Sequence, residues 1–201
     1  MTERGMIFNS EMVRAILDGR KTQTRRPVKF PVLDKNLGCE LAGNELAGEL
    51  SAGNYLNSAF GKPGDHIWVR EAFRVHSRAT DVATLVYKAS ERNSWTEQTH
   101  RVPVAVCNKP ATPEKWTPSL HMPRWASRIL LEITNVRVER LKSISDGDAI
   151  REGCSTADMK SGDCVADVFA RLWASIYGDE SWNSNPWVWV IEFKRVEGGA
   201  A

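Results

Sequence analysis

The sequence predicts an α+β domain: a small, mostly antiparallel β-barrel flanked by helices, with long loops inserted. Apolar residues alternate along several segments, whereas only three segments repeat them at helical spacing. Strands and helices do not alternate regularly along the chain, which is unlike a doubly wound parallel sheet. The 201 residues, of which 42% are hydrophobic, can bury a core of their own. We therefore expect one domain over 1–201.

The first elements are a short extended piece and a helix. Ser10 is expected to cap this helix by accepting from its open amides, and Gly19 suits the left-handed position just past its end. Residues 34–62 are polar, rich in glycine and without strand alternation. They are interpreted as an excursion on the surface.

The middle of the chain begins with a turn at residues 63–65. Strands are expected at 67–70 and 85–87, because apolar and β-branched residues follow the turn signals there. Residues 90–118 hold scattered prolines and are expected to form long loops with a short strand at 102–106.

The last third of the chain has the clearest patterns. A long strand over 129–138 changes its apolar phase near Asn135, which predicts a bulge or bend. A short helix runs from a cap at Ser145 to Gly153, and a full apolar stripe predicts a second helix over 165–176. Alternation predicts a final strand over 187–196.

Composition excludes several classes of protein. The net charge of +2 gives no polybasic tail that would hold nucleic acid by charge alone. The four cysteines show neither paired spacing nor a histidine at zinc-ligand spacing, so no disulfide, metal or cofactor is expected. No run of about 18 apolar residues exists, which predicts no membrane contact and a cytoplasmic protein.

A dense basic segment, GRKTQTRRP, spans Gly19–Pro27. Lys21 and Thr24 stand three residues apart, and a threonine hydroxyl becomes a nucleophile only if a base takes its proton. Neighbouring cations lower the pKa of a lysine, and Arg20, Arg25 and Arg26 supply them in sequence. The same arginines could instead hold a phosphate or carboxylate, or simply form a solvated basic turn at a helix end.

Two further patches place an indole beside arginines, the first at Trp68 and Arg70 and the second at Arg124 and Trp125. Such pairs can stack on unpaired bases. The alternative is that these tryptophans belong to the core of strands with basic outer faces.

Two carboxylates are candidates for acid–base work. Glu71 follows the strand after the turn, and Glu152 ends the short helix. Either would have to lie within hydrogen-bond reach of the lysine and threonine, which the sequence leaves open. No nucleophile elbow, phosphate loop, dinucleotide fingerprint or zinc-hydrolase motif is present.

The chain resembles the ASCH-domain proteins, in particular the longer kind carried by phages and prophages. The resemblance rests on motifs in the same order, namely GRKTQTRRP, PGDHIWVRE, MPRWASRI and NPWVWVIEF. It implies a PUA-like fold and work on RNA or nucleosides. It also implies that a modified nucleoside or RNA is the partner; partner proteins are left open.

The resemblance includes small amidohydrolases that remove the acyl group from N(4)-acetylcytidine. It implies that Lys21 is the general base, Thr24 the nucleophile and Glu152 the third catalytic group, with Glu71 as a rival for that place. Substrate contacts are expected from the arginines and indoles named above and from Glu71. The alternative is an RNA-binding module, or a ribonuclease, that uses the basic turn at 20–29 and the two indole patches.

Overall fold

The computed structural model describes Met1–Val196 and has a mixed α+β fold. Its helices are α1 (Ser10–Leu17), α2 (Gly43–Ser51), α3 (Trp95–Gln98), α4 (Asp146–Arg151), α5 (Val165–Tyr177) and α6 (Asp179–Asn183). Its strands are β1 (Glu3–Ile7), β2 (Gln23–Pro27), β3 (Val32–Leu33), β4 (Glu40–Leu41), β5 (His66–Arg70), β6 (Phe73–Arg78), β7 (Val82–Tyr87), β8 (Thr99–Pro103), β9 (Leu130–Arg140) and β10 (Trp187–Arg195). The sheets within this part of the chain are open, and no closed barrel is found there.

The described chain divides into two compact units, and the first comprises Met1–Asp18, His66–Glu132 and residues 195–196. In this unit β1 pairs in parallel with β5, and β5 pairs antiparallel with the first residues of β9. Strands β6, β7 and β8 form an antiparallel sheet. Its apolar face packs into a cluster that includes Phe73, Leu85 and Tyr87.

The second unit comprises Gly19–Asp65 and Ile133–Lys194. Here β2 pairs antiparallel with β10, which lies beside the remainder of β9. Val188 and Val190 on one face of β10 pack with α4 and α5 into a second apolar cluster. That face of the sheet also carries the side chains of β2 that point toward α4.

Residues 34–62 contain an ordered helix that the sequence analysis did not predict. Leu46 and Leu50 of α2 are buried, and a Cβ on Gly43 would lie 2.3 Å from the Trp187 indole. The apolar residues of this helix are only a few among glycines and glutamates, so its periodicity is weak. Packing against the rest of the unit, rather than local propensity, stabilises it.

Several local predictions are confirmed and three are wrong. Residues 23–27, expected in a basic turn, form strand β2, and the strand expected at 102–106 is β8, Thr99–Pro103. Ser145 caps α4 by accepting from the amide of Asp148, and Gly19 has a φ of 74°. The burial of β9 changes phase near Asn135, as its apolar pattern indicates. The cap of α1, however, is Asn9 and not Ser10, because the Asn9 side chain accepts from the amide of Met12.

Other predictions on the fold remain open. The structure neither confirms nor contradicts a single domain over 1–201. No helix within residues 1–196 is long and apolar enough to cross a membrane. All four cysteines are free thiols.

Candidate active site

The centre of the candidate site is a buried pair formed by Lys21 and Glu152. The Lys21 Nζ lies 2.6 Å from Glu152 Oε2 and 2.8 Å from the Glu152 main-chain oxygen. The two side chains are 0% and 3% exposed. Glu152 ends α4, and the amide of Thr22 donates to the carbonyl of Arg151, which ties the basic turn to the end of this helix.

This environment changes the basicity of the amine. Burial lowers the pKa of Lys21 below its ordinary value of 10.5, the Glu152 carboxylate opposes the shift, and the charge of Arg26 adds to it. A lysine with a lowered pKa has more free amine near neutral pH and can accept a proton. Burial raises the pKa of the nearby Cys154 thiol to about 11, so this cysteine is a poor nucleophile.

Arg25 organises the carboxylates around this pair. Its side chain is fully buried and lies 2.6 Å from Glu139, 3.3 Å from Glu152 and 3.4 Å from Asp148. The guanidinium also lies over the ring of Phe169, at 5.7 Å. Since Arg25 holds one Glu152 oxygen while Lys21 holds the other, it fixes the carboxylate in place.

Thr24 lies on the opposite face of β2 from Arg25. Successive side chains of a strand point to opposite faces, so Thr24 and Arg26 share the face that does not point toward α4. Their cross-strand neighbours on β10 are Ile191 and Trp189. Thr24 is 1% exposed.

A cavity of about 550 Å³ lies beside Arg26 and Trp189, which share the Thr24 face, but Thr24 itself does not line it. We call it the aromatic pocket; its lining residues are Arg26, Pro27, Lys29, Val32, Asn57, Ala59, Phe60, Tyr177 and Trp189. The sequence analysis named only Arg26 among them. Phe60 and Tyr177 belong to no sequence motif. Both line the pocket because segments far apart in the sequence pack together.

Arg20 is exposed and donates to the carbonyl of Gly153, at 3.3 Å. The basic residues of this segment therefore lie in different environments. Arg20 lies at the surface, Lys21 and Arg25 are buried with carboxylates, and Arg26 lines the aromatic pocket.

The other predicted site residues lie in the first unit. Glu71 is 2% exposed and pairs with Arg128 through both its oxygens, at 2.9 and 3.1 Å. The carboxylate that contacts Lys21 is thus that of Glu152, whereas the partner of Glu71 is an arginine. Arg128 also lies over the ring of Tyr87, at 4.0 Å.

The two indole patches of the first unit are both half-buried, and they differ in what the indole contacts. Trp68 is half-buried with the Arg70 guanidinium 5.4 Å above its ring. Trp125 packs edge-on to Phe73 in the apolar cluster, whereas Arg124 pairs with a glutamate at the surface. Trp125 therefore packs against the apolar core while remaining half-buried.

Among residues 1–196, no group of three or more histidine, cysteine, aspartate or glutamate side chains is arranged to hold a metal ion. The three carboxylates that cluster near one another in the second unit are each paired with the Arg25 guanidinium.

Comparisons with known proteins identify no family. No family model matches the chain, and no curated protein matches it. Among solved structures, the crystal structure of protein EF3133 from Enterococcus faecalis V583, described as family-model DUF984, is similar over 98% of this chain and 81% of its own length. Its identity is 10% and its TM-score 0.41. We draw no conclusion about function from a similarity at this level.

Proposed function

We propose that this protein is a hydrolase that removes the acyl group from an N(4)-acylated cytosine nucleoside. The observation that carries the proposal is the buried Lys21–Glu152 pair, in which a lysine with a lowered pKa is held at the start of the strand that carries Thr24. The resemblance to ASCH-domain amidohydrolases, and with it the PUA-like barrel and the nucleoside partner, belongs to the same proposal.

In the proposed reaction the Thr24 hydroxyl attacks the acyl carbonyl carbon and Lys21 accepts its proton. The C–N bond to the exocyclic nitrogen of cytosine then breaks, and the proton passes from Lys21 through Glu152 to the departing amine. Water hydrolyses the resulting ester, which releases the acid and restores the hydroxyl. The charge of Arg26, on the same face as Thr24, would stabilise the developing oxyanion.

The surroundings of Lys21 support this use of the amine. The charge of Arg26, which alternation places on the Thr24 face of β2, adds to the lowering of the pKa of Lys21. Glu152 would stabilise the ammonium that forms, because a buried charge needs a partner.

A second candidate, RNA binding, is favoured by Trp68 and Arg70, which present a half-buried indole beside a guanidinium. It predicts binding of oligonucleotides that weakens with salt, without chemical change of either partner.

The test is the release of cytidine from N(4)-acetylcytidine, followed by chromatography, for the parent protein and its Lys21→Ala, Thr24→Ala and Glu152→Gln variants. Loss of turnover in folded variants would support the assignment. Thr22→Ala is the matched control, because Thr22 is an exposed threonine in the same turn. No release by the parent at high enzyme concentration would refute the hydrolase, and Thr24→Ser should retain part of the activity if the hydroxyl is the nucleophile.

A further inference from the structure

The segment at 34–62 contributes one wall of the aromatic pocket. Asn57, Ala59 and Phe60 line it from this segment, opposite residues of β2 and β10. The ring of Phe60 lies edge-on to the indole of Trp189, with centroids 5.8 Å apart. Two perpendicular aromatic rings at a cavity wall provide both a face and an edge against which a flat ring can pack.

This wall is held in place by hydrogen bonds. The Asn57 amide donates to Asp34 at 3.2 Å and to Glu49 at 2.9 Å, and its oxygen accepts from the amide of Lys35. Asn57 is 5% exposed, so these bonds are shielded from water. The turn that carries Phe60 is thereby fixed both to residues 34–35 and to α2.

The lining of the pocket has a net positive charge. Its nine residues include the cations Arg26 and Lys29, and none of them is a carboxylate. Lys29 is exposed at the end of β2, where its ammonium can meet a ligand without first being desolvated. An aromatic pocket of this kind suits a ligand that joins a flat ring to an anion.

We propose that the aromatic pocket binds the base of a phosphorylated pyrimidine, with Phe60 and Trp189 against the ring and Lys29 toward the phosphate. The proposal rests on the proposed function for the choice of a pyrimidine and, among pyrimidines, of cytosine. It assigns to Phe60 the role of a specificity-determining residue and to the 34–62 segment the role of completing the pocket. The phosphate can belong to a free nucleotide or to the end of an RNA strand.

The test measures the binding of cytidine, cytidine 5′-monophosphate and a short single-stranded oligocytidine by calorimetry. Phe60→Ala should weaken the binding of all three roughly 5- to 150-fold, the range found when an aromatic stacking partner is removed. Phe60→Leu, which keeps an apolar side chain, should also weaken binding. The matched control is Phe30→Ala, because Phe30 is 48% exposed and does not line this pocket.

Lys29→Ala should weaken the binding of the monophosphate about two- to fivefold and leave the binding of cytidine unchanged. The effect on the monophosphate should become smaller at high salt. Lys62→Ala, at another exposed lysine, is the control. Equal affinity of the parent for cytidine and its monophosphate would overturn the phosphate assignment. Unchanged binding in both Phe60 variants would overturn the pocket.

The two proposals fail in different ways. Binding of the monophosphate that depends on Phe60, without any hydrolysis of N(4)-acetylcytidine, would leave the pocket standing and refute the hydrolase. Hydrolysis of N(4)-acetylcytidine that the Phe60 variants leave unchanged would support the hydrolase and refute the pocket. Oligocytidine that binds far more tightly than the monophosphate, again through Phe60, would identify RNA as the source of the phosphate.

Discussion

Replacing Glu152 by glutamine tests whether the Lys21 amine depends on its carboxylate. The substitution keeps the shape of the side chain but removes the charge 2.6 Å from Nζ. The main-chain oxygen of Glu152, at 2.8 Å, would still accept from the amine. A buried ammonium without a carboxylate is expected to lose its proton instead of remaining charged.

The cost of that proton loss sets the size of the effect. At pH 7 the solution lies 3.5 units below the ordinary lysine pKa of 10.5. At about 1.4 kcal/mol per unit, forcing the amine to be neutral costs at most about 5 kcal/mol. Breaking a buried ion pair costs about 3–5 kcal/mol in general, so Glu152→Gln should lower the free energy of unfolding by about that amount at pH 7.

The direction in which stability changes with pH follows from the number of protons that the folded and the unfolded chain bind. In the variant, the unfolded chain keeps the lysine proton up to pH 10.5 while the folded chain has lost it. The unfolded state therefore binds more protons, and the free energy of unfolding rises with pH. The deficit of the variant against the parent protein should accordingly shrink between pH 7 and pH 10.

Denaturant unfolding at several pH values measures this deficit. Glu91→Gln is the matched control. Glu91 also follows the end of a short helix, the 3₁₀ turn Lys88–Ser90, but is exposed, and its substitution should change stability by less than about 0.5 kcal/mol. A deficit that stays the same from pH 7 to pH 10 would refute the reasoning, because it would show that removing the carboxylate does not change the protonation of Lys21.

Three further predictions concern packing, a second ion pair and the rate. Gly43→Ala should destabilise the protein by about 1–3 kcal/mol, because the added Cβ would clash with the Trp187 indole. Gly48→Ala in the same helix has nothing within 4 Å and should stabilise the protein by about 0.5–1 kcal/mol. Denaturant unfolding measures both changes. Arg128→Met should cost about 3–5 kcal/mol by thermal or denaturant unfolding, because it leaves the Glu71 carboxylate buried without its partner; a loss under 1 kcal/mol would contradict this. If Lys21 is the general base, the hydrolysis rate should rise with pH and level off below pH 10.5, and a rate that falls as the pH rises from 6 to 10 would contradict that role.

Much of the secondary structure was predictable because it is encoded by neighbours in the sequence. The apolar stripe of α5 and the alternation of β10 each depend on residues within one element, and both are present in the structure. The phase change in β9 was predictable for the same reason. The helix α2 was not, because its few buried leucines among glycines and glutamates give only a weak pattern.

The candidate site divides in the same way. Sequence spacing identified Lys21 and Thr24, and the short helix identified Glu152. The sequence could not tell whether Glu152 or Glu71 contacts Lys21, because the contact of Lys21 with Glu152 joins residues 131 positions apart. It also treated the arginines of the basic turn alike, although burial gives them different partners.

The sequence by itself determined α5, β9 and β10 and the concentration of positive charge in one short segment. It did not predict that this segment forms strand β2, which places Thr24 and Arg25 on opposite faces. Only the tertiary structure decided which carboxylate neutralises Lys21 and which rings meet as Phe60 and Trp189 do. The physical reason is the distance along the chain over which each effect acts. Periodicity and capping act within a few residues, whereas a buried charge or an aromatic wall is completed by whatever distant segment the packed backbone brings to it.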